Sequence, residues 1–378
     1  MRIHEMKSPP EHSPAGRGKR EQPGGPGRRL GRTALQVLAC VLTLAAALVI
    51  VVMVSLRMIC SSAFPTAQQM FVTTILETGQ MKFLASWFLS PEEIQAIVDQ
   101  NSMMELNAEV DSSLIQIGGS GETGAGGSGE GEQDIEIVEV AGTTYTGTMM
   151  IVKDPSRVSL ATIYPWREMG VPLDELVEDS GAIGGINGGL YDSTNNTGGR
   201  PLGVIVSHGE ILYNKPQQYP GLVLIGFTED HLLQIIDLEG MNAADVEELV
   251  EREKIRDAVT FQEEASDKNN HFVQLIINNE ARDMRGQGSG LNPRTAIGQR
   301  ADGAVLMFVT AGRGKSGHLG ASSGDLIQVM QEFGAVNAAN LDGGSSSCMY
   351  YDGEYLMPSV TFYYANSSWR LPAGFVVT

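Results

Sequence analysis

Hydrophobic and polar positions divide the chain into stretches of different character. Residues 34–54 form an apolar run in which only Gln36 and Thr43 are polar. A helix of that length, at about 1.5 Å per residue, spans roughly 30 Å, the hydrocarbon thickness of a bilayer. The run therefore predicts a single transmembrane helix at 34–56. A cleaved signal peptide is the competing reading, but its apolar region normally extends over only about 7–15 residues.

Residues 57–117 are mixed. Ser90-Pro91-Glu92-Glu93 predicts a helix start, with a Ser cap, Pro at the first position and acids in the first turn. Ile94, Ile97 and Val98 follow on one apolar face. The segment reads as a short helical stalk, and the sequence leaves open whether it also packs on the membrane surface or on a second copy. Residues 118–133 are Gly, Ser, Glu and Thr with almost no apolar side chain, which predicts a flexible linker. From residue 134 the pattern turns to short β-like runs broken by Gly, Asn and Pro: 135–140, 158–164, 202–206, 222–225, 272–277, 305–310 and 374–377. Helical periodicity is confined to 173–179, 243–251 and 324–333. Few helices among many strands predict an α+β (mixed α/β) domain over 134–378, a twisted mixed β-sheet core with packed helices.

Charge refines this picture. Residues 1–33 hold eight Lys or Arg and three acids, a balance of +5. With −19 for the whole chain, the remainder carries −24. The basic, Pro- and Gly-rich tail reads as disordered and cytoplasmic. The acidic domain is then extracellular, and the protein a single-pass cell-membrane protein. A strongly acidic domain without a basic aromatic stripe excludes nucleic acid as a partner. Of three cysteines, only Cys348 belongs to the domain, so the domain holds no disulfide framework.

Four Gly-rich clusters carry the candidate chemistry. They are Asn187-Gly188-Gly189-Leu190-Tyr191-Asp192, Asn292-Pro293-Arg294-Thr295-Ala296-Ile297-Gly298, Thr310-Ala311-Gly312-Arg313 and Asn340-Leu341-Asp342-Gly343-Gly344-Ser345-Ser346-Ser347. Glycine pairs let backbone turn sharply or approach a ligand. Arg294, Arg313 and Arg370 have the planar guanidinium suited to bidentate phosphate binding.

Together, in this order, the clusters resemble the phosphodiester glycosidase family, also called the uncovering-enzyme family. The resemblance covers roughly residues 134–378 and extends to Pro201-Leu202-Gly203 and the late Arg370. Three positions depart from the family pattern: Ala311 replaces an Asp, Ser345 a third glycine, and Trp369 an acid. Each cluster alone has a plainer reading, since Gly-Gly after a strand is commonly a turn and Asp-Gly a hairpin.

Three other motifs fail on inspection. Gly320-Ala321-Ser322-Ser323-Gly324 has the spacing of a nucleophile elbow, but no His follows His318 to complete Ser, acid, His in that order. Gly314-Lys315-Ser316 ends like a P-loop, but the earlier glycine is Val309. His208, His231, His271 and His318 are too dispersed for a zinc motif. Ca²⁺ or Mg²⁺ held by oxygens of Asp192, Asn195 and Asn196 stays open, although the spacing is not that of an EF-hand.

The resemblance implies hydrolysis between a sugar's anomeric carbon and a phosphodiester oxygen, and an acidic, externally facing, anchored enzyme suggests envelope or exopolysaccharide glycans as substrate. Asp342 is the first candidate for the catalytic carboxylate, followed by Asp302 and Asp325. Arg294 and Arg313 are expected to bind phosphate, with a backbone anion nest at Gly343, Gly344, Ser345 and Ser346. Asn187, Gly188, Gly189, Thr295 and Arg370 complete the expected substrate site. The alternative is a catalytically weakened binding module for phosphorylated cell-wall glycans.

Overall fold

The computed structural model describes residues 26–117 and 134–378, apart from residues 62, 79, 80, 105, 107, 287 and 362–364. Residues 1–25 of the basic tail and the linker at 118–133 lie outside the described residues. Helix α1 runs Pro26–Ile59, so residues 26–33, expected to be disordered, are helical. Pro at the start and the Arg and Leu that follow suit a helix continued from the apolar run. Within α1, Thr33–Ile59 is long and apolar enough to cross a membrane.

Residues 58–378 form the second compact unit. It opens with α2 (Pro65–Leu76), α3 (Phe83–Ser86) and α4 (Pro91–Gln100). The start of α4 follows the sequence signals. Ser90 accepts from the Glu93 amide, the Glu93 carboxylate accepts from the Ser90 amide, and Pro91 occupies the first turn. Ile94, Ile97 and Val98 bury against Val72 and Leu76 of α2, Ala85 of α3 and Leu89. The stretch expected to be a stalk is thus helical, but it lies in the same unit as the domain and bonds to it directly.

The domain is α+β, as expected. Its strands form a seven-stranded sheet, two five-stranded sheets and a two-stranded hairpin. The seven-stranded sheet runs, edge to edge, through Ile135–Ala141, Thr146–Val152, Val305–Thr310, Thr295–Arg300, Ala335–Asn340, Gln274–Ile277 and Glu280–Ala281. The inner faces of the three large sheets share one core. Met150, Val152, Val305 and Met307 meet Ile186 and Phe375 of the second sheet and Ile205, Ile225 and Phe227 of the third. Phe227 and Phe375 pack edge to face at 6.0 Å. Three helices cover the outer faces: α5 (Leu173–Asp179), α6 (Ala243–Arg252) and α7 (Ser323–Glu332), one on each sheet.

Antiparallel pairing places the motifs. Thr295 lies opposite Val309, and Ala296 lies between Phe308 and Asn340. The end of Val305–Thr310, the start of Thr295–Arg300 and the end of Ala335–Asn340 therefore lie together at one end of the sheet's central strands. Three of the four Gly-rich clusters sit at that end.

Candidate active site

Asn187 brings in the fourth cluster. It ends the strand Gly184–Asn187 of a neighbouring sheet and is fully buried. Its Nδ2 donates to the Asp342 carbonyl at 2.6 Å, and its Oδ1 accepts from Thr295 Oγ1 at 2.7 Å and the Cys348 amide at 3.2 Å. Asn187 and Thr295, both expected in the substrate site, thereby join two sheets. The Gly188 carbonyl faces the Asp342 amide at 3.4 Å, and Gly189 lies against the Thr260 carbonyl.

Asp342 follows the strand Ala335–Asn340 and turns into the short helical turn Gly344–Ser346. Burial pushes its carboxyl up to about 7, against the pull of Ser346, the Gly343 amide and Arg313. Ser346 Oγ also meets the Tyr191 hydroxyl at 2.9 Å. Burial pushes that phenol well above its ordinary value, with the Asp342 charge adding to the effect, so Tyr191 stays protonated. Three of the four amides of the expected anion nest are bonded within the protein. The Gly344 amide is taken by the Pro293 carbonyl at 2.8 Å, the Ser346 amide by the Gly343 carbonyl at 3.2 Å, and the Gly343 amide by Asp342.

The two arginines differ. Arg313 has a left-handed backbone at φ 55° and an exposed side chain. Its Nη1 donates to Ser345 Oγ at 2.7 Å. Packing around the guanidinium lowers its proton affinity, and Glu77, Arg294 and Asp342 act on the same charge from close by. Arg294 is only 4 % exposed along its side chain. Its Nε donates to the Ala321 carbonyl at 3.1 Å, and its Nη2 to Ser289 Oγ at 2.9 Å and the Gly290 carbonyl at 2.7 Å. Nη2 also pairs with the Glu77 carboxylate. Arg294 is a buried brace, and Arg313 is the more exposed of the two.

Other expected residues lie in structural roles. Asp302 pairs with Arg300 at 2.5 Å and accepts from the Ala304 amide, a half-exposed turn at the strand end opposite the site. Asp325 caps α7, accepting from the Ser322 amide at 2.7 Å and Ser322 Oγ at 2.8 Å. Arg370 donates to the Gly170 carbonyl at 3.1 Å, and its amide to Asn196 Oδ1 at 3.3 Å. Asp192 accepts from the Thr194 amide. Among the described residues, no group of three or more His, Cys, Asp or Glu is placed to hold a metal. Ala311 is 7 % exposed, its amide bonded to the Thr146 carbonyl.

Glu77 is the residue sequence reasoning missed. It follows the last turn of α2, in a stretch without any motif. Tyr191 was visible only as the aromatic of its cluster. The charge of the neighbourhood shows at His271, whose imidazole is held down to about 3 by burial first, then by Lys82 and Arg294.

The phosphodiester glycosidase family matches residues 180–378, more than half of the chain and all four clusters. The chain belongs to the phosphodiester glycosidase family. No curated protein matches the chain as a whole sequence. Among solved structures, it is similar to the zebrafish N-acetylglucosamine-1-phosphodiester alpha-N-acetylglucosaminidase catalytic domain, auto-inhibited by its pro-peptide. Identity is 19 %, covering 64 % of this chain and 81 % of that one, with a TM-score of 0.46. A hypothetical protein from Synechocystis shares 16 % identity over 64 % of this chain and 61 % of its own, with a TM-score of 0.39. An exported protein from Burkholderia pseudomallei shares 14 % identity over 62 % and 74 %, also with a TM-score of 0.39.

Proposed function

We propose that the protein hydrolyses the glycosidic bond of sugar-1-phosphodiesters, releasing free sugar and a phosphomonoester. Family membership supports the reaction class. The observation that carries the reading is the closeness of a buried carboxyl, Asp342, to the Arg313 guanidinium, near enough for each charge to act on the other, beside the Arg313 contact with Ser345 Oγ. Glycoside cleavage needs a carboxylate at the anomeric carbon, as nucleophile or base, and a means of stabilising the leaving group. A phosphate departs with little acid help, so charge neutralisation by Arg313 replaces the usual acid. In this reading water adds to the anomeric carbon, the C–O bond to phosphate breaks, and the phosphate leaves as a monoester. Tyr191, held neutral, orients Ser346 beside Asp342.

The helix α1 anchors the protein in this reading, with residues beyond it outside the cell, where phosphorylated envelope glycans are the substrate class at hand. The absence of a carboxylate at Ala311 favours a second reading, a glycan-binding module without turnover. One experiment separates them: the full chain in detergent incubated with a panel of sugar-1-phosphodiesters. Free sugar and phosphomonoester in equal amounts support the hydrolase. Binding without either product supports the module.

A further inference from the structure

The family match begins at residue 180, yet the floor of the candidate site is held from more than a hundred positions upstream. Glu77 stands just past the C-terminal end of α2, with 2 % of its side chain exposed. A carboxylate at that end opposes the helix dipole. Burial pushes its carboxyl up to about 7, against Arg294, the Gly290 amide and Asn292. An apolar residue here would leave the buried Arg294 without its counter-charge, because breaking a buried pair strands the remaining ion. Something other than packing therefore accounts for the charge.

The contacts around Glu77 converge on the loop Ser289–Pro293. The Gly290 amide donates to Glu77 Oε1 at 2.7 Å, and the Leu291 amide to Thr74 Oγ1 at 3.0 Å. Asn292 Nδ2 lies 3.3 Å from the Thr74 carbonyl and 3.4 Å from Glu77 Oε2. A Cβ on Gly290 would fall 2.3 Å from the Thr74 Cα, so helix and loop meet backbone to backbone. The loop in turn supports the reactive groups. Pro293 accepts from the Gly344 amide at 2.8 Å, one residue from Ser345, which binds Arg313, and two from Asp342.

We infer that Glu77 is a positioning residue of the phosphodiester site, fixing Arg294 and the Ser289–Pro293 loop so that Gly343–Ser345 present Asp342 and Arg313 together. The catalytic unit then begins with α2, not with the strand Ile135–Ala141. The inference rests on the hydrolase reading for its kinetic consequence, but its structural claim is independent of turnover.

The test compares the full-length parent in detergent with Glu77→Gln and the charge-retaining Glu77→Asp, by hydrogen exchange and by kinetics on a sugar-1-phosphodiester. Amides of 289–292, 294 and 341–347 should exchange about ten-fold faster in both variants, with the strand Leu222–Thr228 as slow as in the parent. KM should rise about ten-fold. Faster exchange confined to 289–291, or equal acceleration everywhere, overturns the inference, as does turnover above the parent's, which would mark α2 as a block on the site. If Glu77→Gln does not fold, Glu77→Asp decides alone. A parent without turnover sinks the hydrolase reading and leaves the exchange result to judge Glu77.

Discussion

Arg313 Nη1 donates to Ser345 Oγ at 2.7 Å, and the guanidinium lies over Gly344 closely enough that an added Cβ would meet Nη2 at 2.7 Å. Gly344 also has φ +66°, a left-handed backbone that costs other residues about 1–2 kcal/mol. Gly344→Ala should lower the melting temperature by a few degrees and raise KM for a sugar-1-phosphodiester by displacing Arg313. Thermal melting and steady-state kinetics on the same preparation check both halves. An unchanged KM would detach Arg313 from phosphate binding.

The two arginines should respond in opposite ways to replacement by lysine. Arg313→Lys removes the planar fork from an exposed position, so kcat/KM should fall about ten-fold, the equivalent of about 1.4 kcal/mol, with melting unchanged. Arg294→Lys cannot serve Ala321, Ser289, Gly290 and Glu77 at once. It should destabilise the protein by about 1–3 kcal/mol, visible as a lower denaturation midpoint.

Stability should depend on pH in a defined direction. Glu77 and Asp342 are both raised to about 7, from ordinary values of 4.5 and 3.8. The folded protein therefore holds protons that the unfolded chain releases, and stability falls as pH rises. The contribution is present in full below the unfolded values and lost as pH passes about 7. Melting temperatures measured at intervals from pH 5 to pH 8 should decline, and Glu77→Gln should flatten the decline. A melting temperature that rises over this interval would contradict the buried placement of both carboxyls.

Asp302→Asn should leave kcat and KM within two-fold, about 0.4 kcal/mol, because the carboxylate serves only the Arg300–Ala304 turn. Asp325→Ala should cost on the order of 1 kcal/mol of stability through the lost reciprocal half of the α7 capping box, with the turnover of the folded fraction retained. Kinetics normalised to folded protein distinguish these from a catalytic role.

Elements were legible where a local rule decided them. The box at Ser90 and Glu93 and the face of Ile94, Ile97 and Val98 could be read directly, as could the strand Val305–Thr310. The strand Ile255–Gln262 was not legible. Its Arg256 and Asp257 break the apolar pattern, and their pairing at 2.7 Å, with Asp257 fully buried, exists only in the fold. Gly184–Asn187 likewise has too few side chains to show a period. The structure brings the clusters together, but sequence could not tell Arg294 from Arg313, since only burial separates the two. Glu77 was invisible because its partners lie more than two hundred positions downstream.

The central claim is that Asp342 performs the chemistry on a glycosyl phosphodiester. Asp342→Asn keeps the shape of the turn and removes the charge. Turnover by Asp342→Asn of the sugar-1-phosphodiester hydrolysed best by the parent, measured at pH 8, is the most direct test. The account predicts a fall in kcat/KM of at least about 100-fold, with a melting temperature equal to or above the parent's, because a buried ionised carboxylate has been removed. A folded Asp342→Asn protein with near-parental turnover would contradict it and leave Asp342 as a residue of the turn.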